Sequence, residues 1–189
     1  VVCAQLNHAG GRCKPEHMGP DRLLFQGPVC VSPLPQREKD PMAGRELTSE
    51  DIRQLVKSYA AAALRARAAG MGAVQVHAAH GYLVSQFLSP LTNRRLDGWG
   101  GPLAARARFL RQVVRAIRDA TGPHFPIGVK LGAMDEDTTT GLNIEETIEL
   151  ARYLEQDSLN FIEISGAFRS DIALRNARAG RNEAYYLPV

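Results

Sequence analysis

The sequence is poor in the features that mark membrane, nucleic-acid-binding and disulfide-stapled proteins. It has no apolar run long enough to span a bilayer and no signal-peptide pattern near its start, so we expect no membrane association. Lys and Arg number 23 against 20 for Asp and Glu, and no basic tract is present, which argues against a nucleic-acid partner. The cysteines Cys3, Cys13 and Cys30 are odd in number, and their spacing fits no zinc or iron–sulfur pattern. We therefore expect free thiols in a reducing compartment, the cytoplasm.

What the sequence does contain is a regular alternation of apolar runs and helical patterns. Short apolar runs predict four strands, at 1–6, 73–76, 127–131 and 161–165. Apolar residues at helical spacing predict three helices, at 49–69, 103–121 and 144–154. The first helix should begin with a capping box at Thr48. The third should turn Ile144, Ile148, Ala151 and Leu154 inward. This order of elements predicts an α/β domain with a parallel sheet.

A long connection, residues 8–47, separates the first strand from the first helix. It is rich in Pro and Gly and too long for a simple connector, so we interpret it as a functional loop. It should either carry a short hairpin over the mouth of the sheet or be disordered in part.

The most informative segment is Val76-His77-Ala78-Ala79-His80-Gly81-Tyr82, which begins where the second predicted strand ends. Sites of α/β proteins are built at that edge of the sheet. An imidazole can donate a hydrogen bond to a carbonyl oxygen and a phenol can deliver a proton, which are the two services that a carbonyl compound undergoing reduction requires. The alternatives are structural histidines or a metal site built on His77 and His80. A metal site needs further ligands, and the segment contains no Asp or Glu, so we predict no metal.

Several segments together carry a resemblance to a known family. They are the histidine segment with its extension Gln86-Phe87-Leu88-Ser89-Pro90, and Asn93 to Gly101, Gln5 to His8, Arg45 to Thr48, Phe161 to Gly166 and Glu183 to Tyr186. Taken in their order along the chain, these segments cover nearly all of it and resemble the Old Yellow Enzyme family. These are FMN-dependent NAD(P)H oxidoreductases on a TIM (β/α)8 barrel, and many reduce activated C=C bonds.

The resemblance implies a role for five residues. His77 and His80 match the side chains that bind the carbonyl oxygen of an α,β-unsaturated substrate, and Tyr82 matches the proton donor. Gln5 matches the glutamine at the pyrimidine edge of the flavin. Lys130 matches a position that is often Arg, close to flavin N1 and O2. The implied partner is a small enone, with FMN as cofactor and NAD(P)H as reductant. A structural role fits a further group better: Gln86, Ser89, Asn93, Arg94, Asp97, Gly100 and Gly101.

The length of the chain, 189 residues, conflicts with a complete barrel, which usually takes about 250 residues. Four strand–helix units indicate a single domain over 1–189 that is a partial barrel, without the phosphate site that usually follows strands seven and eight. A truncated, non-catalytic half-barrel is therefore one alternative function. A metal-dependent barrel hydrolase is another, argued from the two histidines alone. The sequence leaves open the substrate, the choice of NADH or NADPH, and a homo-oligomer.

Overall fold

A computed structural model of the protein describes residues 2–13, 27–33, 44–135 and 137–166. Its strands are β1 (Cys3–Leu6), β2 (Val29–Cys30), β3 (Arg45–Glu46), β4 (Ala73–Ala78), β5 (Ile127–Gly132) and β6 (Phe161–Ser165). Its helices are α1 (Ser49–Ala68), α2 (Leu83–Leu88), α3 (Leu103–Arg106), α4 (Arg108–Thr121) and α5 (Ile144–Gln156), and a 3₁₀ turn spans Gly10–Arg12. Strands β1, β4, β5 and β6 form one parallel sheet in that order. The four predicted strands and the parallel sheet are therefore confirmed.

Local signals set the helix ends as the sequence predicts. The Thr48 hydroxyl accepts from the backbone N–H of Asp51, and the Asp51 carboxylate accepts from the backbone N–H of Thr48. This reciprocal pair satisfies two donors that the first turn of α1 leaves open. Gly122 ends α4 with a φ of 82°, a conformation that glycine adopts without steric cost. The helix predicted at 103–121 is divided at Ala107 into α3 and α4.

The two faces of the sheet have opposite chemical character. Side chains alternate between the faces of a strand, so residues two apart share a face. One face is apolar and lies beneath α1 and α4; its fully buried members in the two central strands include Val74, Val76, Val129 and Leu131. The other face carries Gln, His, Lys and Glu side chains. The apolar face therefore forms the core, and the polar face remains for a site.

Two details of local structure differ from the expectations. The short described elements β2 and β3, within the long connection 8–47, pair parallel, so these two strands do not form a hairpin, which requires antiparallel strands. Ile148 of α5 is 48% exposed, whereas Leu154 is buried as predicted, together with Thr147 and Leu150. Thr147 can be buried because its hydroxyl donates to the backbone carbonyl of Ala133 at 2.6 Å. Apolar spacing alone could not reveal that satisfied hydroxyl.

In the part of the chain that the structure describes, the sheet has two open edges, at β1 and at β6. Side chains there are exposed on both strands, including those of Cys3, Gln5, Phe161 and Ile164. Four parallel strands are half the number in a (β/α)8 barrel, so the sheet is a partial barrel. Residues 14–26 and 34–43 of the predicted loop, and the segment Glu183 to Tyr186, lie outside the described residues. Within the described part of the chain, no helix combines the length and apolarity needed to cross a membrane.

Candidate functional site

A layer of polar side chains lines the inner face of the sheet. The strand register places Gln5 of β1 beside Gln75 of β4. It places Lys130 of β5 between His77 of β4 and Glu163 of β6. These positions point to one face because partners in register share their orientation. Register therefore brings together three predicted residues, Gln5, His77 and Lys130, with two that the sequence did not single out.

Hydrogen bonds join this layer across all four strands. Gln5 Nε2 donates to Gln75 Oε1 at 2.6 Å, and Gln75 Nε2 donates to Glu163 Oε2 at 2.9 Å. Lys130 Nζ donates to Glu163 Oε1 at 2.6 Å. The bond from Lys130, followed by the one from Gln75, holds the pKa of Glu163 below its usual value. The cation at position 130 is thus paired with a carboxylate inside the layer.

The two histidines and the tyrosine meet at the carboxyl end of β4. His77 is the fifth of the six residues in that strand and only 4% exposed. Its Nε2 lies 3.1 Å from Nδ1 of His80, and their ring centroids are 5.0 Å apart. The Tyr82 ring lies 5.1 Å from the His77 ring. The structure therefore brings together the three side chains that the sequence segment predicted.

His80 is fixed in an unusual backbone conformation. Its φ is 60°, in the left-handed region, which a non-glycine residue occupies only when its surroundings hold it there. Its backbone N–H donates to the Gly166 carbonyl at 3.2 Å, and its own carbonyl accepts from the Arg12 guanidinium. Its Nε2 lies 2.7 Å from Oγ of Ser165. Contacts from the end of β6 and from the turn after β1 therefore set the direction of this ring.

Both imidazoles are neutral at pH 7. Burial, together with smaller electrostatic contributions from His80 and Lys130, lowers the pKa of His77 to about 4. Burial also lowers the pKa of His80, with Lys130 and Arg12 acting in the same direction. A neutral imidazole carries one N–H and one acceptor nitrogen. Each ring can therefore donate one hydrogen bond, and its tautomer decides from which nitrogen.

The segment that follows Tyr82 supports the site through hydrogen bonds to the backbone, the structural role that its sequence predicted. The Gln86 amide donates to the Gly81 carbonyl at 2.8 Å, and its oxygen accepts from the Gly11 N–H at 3.4 Å. Asn93 Nδ2 donates to the carbonyls of Phe87 and Trp99, at 2.7 and 2.8 Å. These amides satisfy buried backbone groups, so their role is structural.

Sequence reasoning missed three site residues: Gln75, Glu163 and Ser165. Each is a polar residue at an inward position of an apolar strand or at its end. Gln75 precedes His77 by two positions, and Glu163 precedes Ser165 by two, which is the spacing of one strand face. That alternation is a signal that could have identified them. Within the described ranges, no group of three or more His, Cys, Asp or Glu side chains is arranged to hold a metal ion.

Comparison with known proteins assigns this arrangement to a family. A profile of the NADH:flavin oxidoreductase / NADH oxidase family matches residues 1–186. The chain is 35% identical over 166 residues to an NADH oxidase of Thermoanaerobacter brockii, covering 87% of this chain and 24% of that protein. It is 38% identical over 149 residues to an NADPH dehydrogenase of Listeria monocytogenes, covering 79% of this chain and 43% of that protein.

A solved structure supports the same assignment. The chain resembles morphinone reductase with a TM-score of 0.69 and 33% sequence identity, over 85% of this chain and 46% of that one. The chain thus spans from a quarter to less than half of the length of the relatives it matches. Because the family profile covers almost all of its residues, the chain belongs to the NADH:flavin oxidoreductase / NADH oxidase family, that of the Old Yellow Enzymes.

Proposed function

We propose that this chain provides the substrate-reducing centre of an FMN-dependent NAD(P)H oxidoreductase that acts on activated C=C bonds of α,β-unsaturated carbonyl compounds. One observation carries the proposal. His77, His80 and Tyr82 converge at the carboxyl end of a central strand, with ring centroids 5.0 and 5.1 Å from His77. Two neutral donors beside a phenol suit a substrate that develops charge on oxygen and then accepts a proton on carbon.

Family membership implies FMN and NAD(P)H as cofactors, and the inner face fits the ring system of a flavin. The paired carboxamides of Gln5 and Gln75 offer both donors and acceptors, as the pyrimidine edge of the ring does. Lys130 adds a cation for the side of the ring that becomes negative on reduction. The Gln5 amide keeps its oxygen and a second N–H, and the Lys130 ammonium keeps two further N–H groups, so both residues can contact the ring without losing their present partners.

The chemistry that bound FMN supplies is hydride transfer, from NAD(P)H and onward to the substrate Cβ. His77 and His80 bind the carbonyl oxygen and stabilise the negative charge that develops there. Tyr82 delivers a proton to Cα from its phenol. Arg12 and Gly166 hold the backbone of His80 in place during these steps.

A specific observation also favours a second candidate, the non-catalytic half-barrel. Gln5 and Lys130 are bonded to neighbours within the sheet, and both edge strands are exposed. A chain in this state would keep the histidine segment without retaining the cofactor. The metal-dependent hydrolase has less support, because the described residues supply no third ligand beside His77 and His80.

Absorbance and rapid kinetics separate these candidates. We expect the purified protein, supplied with FMN, to show a bound-flavin spectrum that NAD(P)H bleaches and a cyclic enone restores under anaerobic conditions. A colourless protein that fails to retain FMN would support the half-barrel. A protein that retains FMN and is bleached, but is not reoxidised by the enone, would contradict the proposed substrate class while leaving the family assignment intact. Bound zinc with hydrolytic activity would favour the third candidate.

A further inference from the structure

The nitrogens of His77 and His80 that carry protons are determined by their neighbours, one of which is Ser165. Three groups form a chain of contacts: His77 Nε2 lies 3.1 Å from His80 Nδ1, and His80 Nε2 lies 2.7 Å from Ser165 Oγ. The remaining nitrogen, His77 Nδ1, is buried and has no hydrogen-bond partner among the described residues. Because both rings are neutral, these three side chains share two imidazole N–H protons and one hydroxyl proton.

Only one arrangement of these protons avoids a buried N–H without an acceptor. In it, His77 donates from Nε2 to His80 Nδ1, and His80 donates from Nε2 to Ser165 Oγ. The reverse arrangement would place a proton on His77 Nδ1, where no described residue accepts it. An unpaired buried donor is rarer in folded proteins than an unpaired acceptor. The ligand-free protein therefore has the Nε2–H tautomer at both histidines.

That arrangement prevents both rings from binding a substrate oxygen together. An oxygen held by the pair must accept from His77 Nε2 and from His80 Nδ1, since these are the nitrogens that face each other. In the ligand-free arrangement His80 Nδ1 carries no proton. His80 can donate to that substrate oxygen only if its proton lies on Nδ1. Its Nε2 is then unprotonated and needs a hydrogen-bond donor. A serine hydroxyl can both accept and donate, so Ser165 can serve either tautomer.

We propose that Ser165 is a positioning residue that selects the substrate-binding tautomer of His80. This inference rests on the proposed function. When an oxyanion lies between the histidines, the Ser165 hydroxyl rotates and donates to His80 Nε2. His80 gains a proton from solvent at Nδ1 and releases one to solvent at Nε2, so the ring stays neutral and the number of protons is unchanged. The oxyanion then receives one hydrogen bond from each ring.

The test uses the FMN-loaded protein, 4-chlorophenol as the oxyanion probe, and the variants Ser165→Ala and Ser165→Thr. Nitrogen-15 NMR of labelled histidine distinguishes protonated from unprotonated Nδ1. In the phenol complex we expect His80 Nδ1 to be protonated in the parent and in Ser165→Thr. In Ser165→Ala we expect the population of that form to fall and the Kd for the phenol to rise, both by roughly 3- to 10-fold, the equivalent of one neutral hydrogen bond.

Each result decides the matter. A protonated Nδ1 and an unchanged Kd in Ser165→Ala would overturn the role of Ser165, as would an unprotonated Nδ1 in the parent complex. Equal losses in Ser165→Ala and Ser165→Thr would show that packing rather than the hydroxyl matters, which also overturns it. Failure of the parent to bind the phenol would contradict the proposed function itself, and the inference would fall with it.

Discussion

The two faces of strands β4 and β5 differ in what holds them in place. On the outer face, Val76, Val129 and Leu131 are buried against the helices and need only a close fit. On the inner face, His77 and Lys130 alternate with them along the same strands, and His77 Nε2 and Lys130 Nζ are held by hydrogen bonds to His80 and Glu163. Adjacent residues of one strand thus contribute to different properties, one to the packing of the core and the next to the polar site.

This contrast predicts which substitutions affect stability and which affect chemistry. Burial of apolar area is non-directional, so removing side-chain volume from the outer face lowers stability, whereas the positions of protons do not affect it. Hydrogen-bonded polar groups are directional, so the inner face depends on tautomer, charge and distance. Substitutions one position apart can therefore test the division directly.

The largest effect is expected from replacing both histidines in the FMN-loaded protein. In His77→Ala with His80→Ala, the charge-transfer band that phenols give on oxidised flavin should disappear, because each lost donor to an oxyanion costs roughly 2.7–4 kcal/mol. Titration with 4-chlorophenol, followed by absorbance, measures this. Retained phenol affinity would show that the rings do not bind the ligand oxygen.

Tyr82→Phe should slow enone reduction by about 10²- to 10⁴-fold, the usual contribution of a positioned acid. Reduction of the flavin by NAD(P)H should be unaffected, because that step needs no proton from the phenol. Stopped-flow measurement of the two half-reactions decides the point. An equal loss in both would remove Tyr82 from the role of proton donor.

Leu131→Ala and Lys130→Ala form a matched pair on the two faces of β5. Leu131 is 1% exposed, so its truncation should lower the free energy of unfolding by about 2–5 kcal/mol. Lys130→Ala should lower it by at most about 1 kcal/mol, because its partner Glu163 is half-exposed. Urea denaturation of both variants provides the comparison. A larger loss in Lys130→Ala would contradict the division between the faces.

Glu163→Gln should raise the potential of the bound flavin. The carboxylate offsets the charge of Lys130 at 2.6 Å, so its removal leaves that cation uncompensated near the ring. We expect a rise on the order of 20–40 mV for the two-electron couple, the equivalent of about 1–2 kcal/mol of charge interaction. Dye-coupled redox titration measures it, and Glu163→Asp is the control that keeps the charge. A lower potential in Glu163→Gln would contradict the proposed place of Lys130.

The last effect concerns pH. The pKa of His77 is about 4 in the folded protein, below the usual value near 6.5 of the unfolded chain. The unfolded state therefore binds more protons between these values, and the contribution of His77 lowers stability as pH falls from about 6.5 to about 4. Denaturation at several pH values, with His77→Gln as control, tests the sign. Phenol binding should lose nothing to His77 protonation between about pH 5 and 8, because the ring stays neutral.

Much of the fold follows from local signals. The capping box at Thr48 and the glycine after α4 fix helix ends through contacts within a few residues. The strands are short apolar runs, and the alternation of elements implies the parallel sheet. The errors arose where a distant partner decided the outcome. Thr147 of α5 is buried because a carbonyl outside the helix accepts its hydroxyl, and β2 and β3 pair parallel across 14 residues of connection.

The sequence by itself determined the segment from His77 to Tyr82, because a strand end and the turn after it place these side chains together within six positions. Tertiary structure alone decided the partners of those groups. Ser165 reaches His80 across a separation of 85 residues, Gln75 reaches Gln5 across 70, and Glu163 reaches Lys130 across 33. The period of a strand tells which residues share a face, but which residue of a neighbouring strand lies beside each of them depends on the register of the folded sheet.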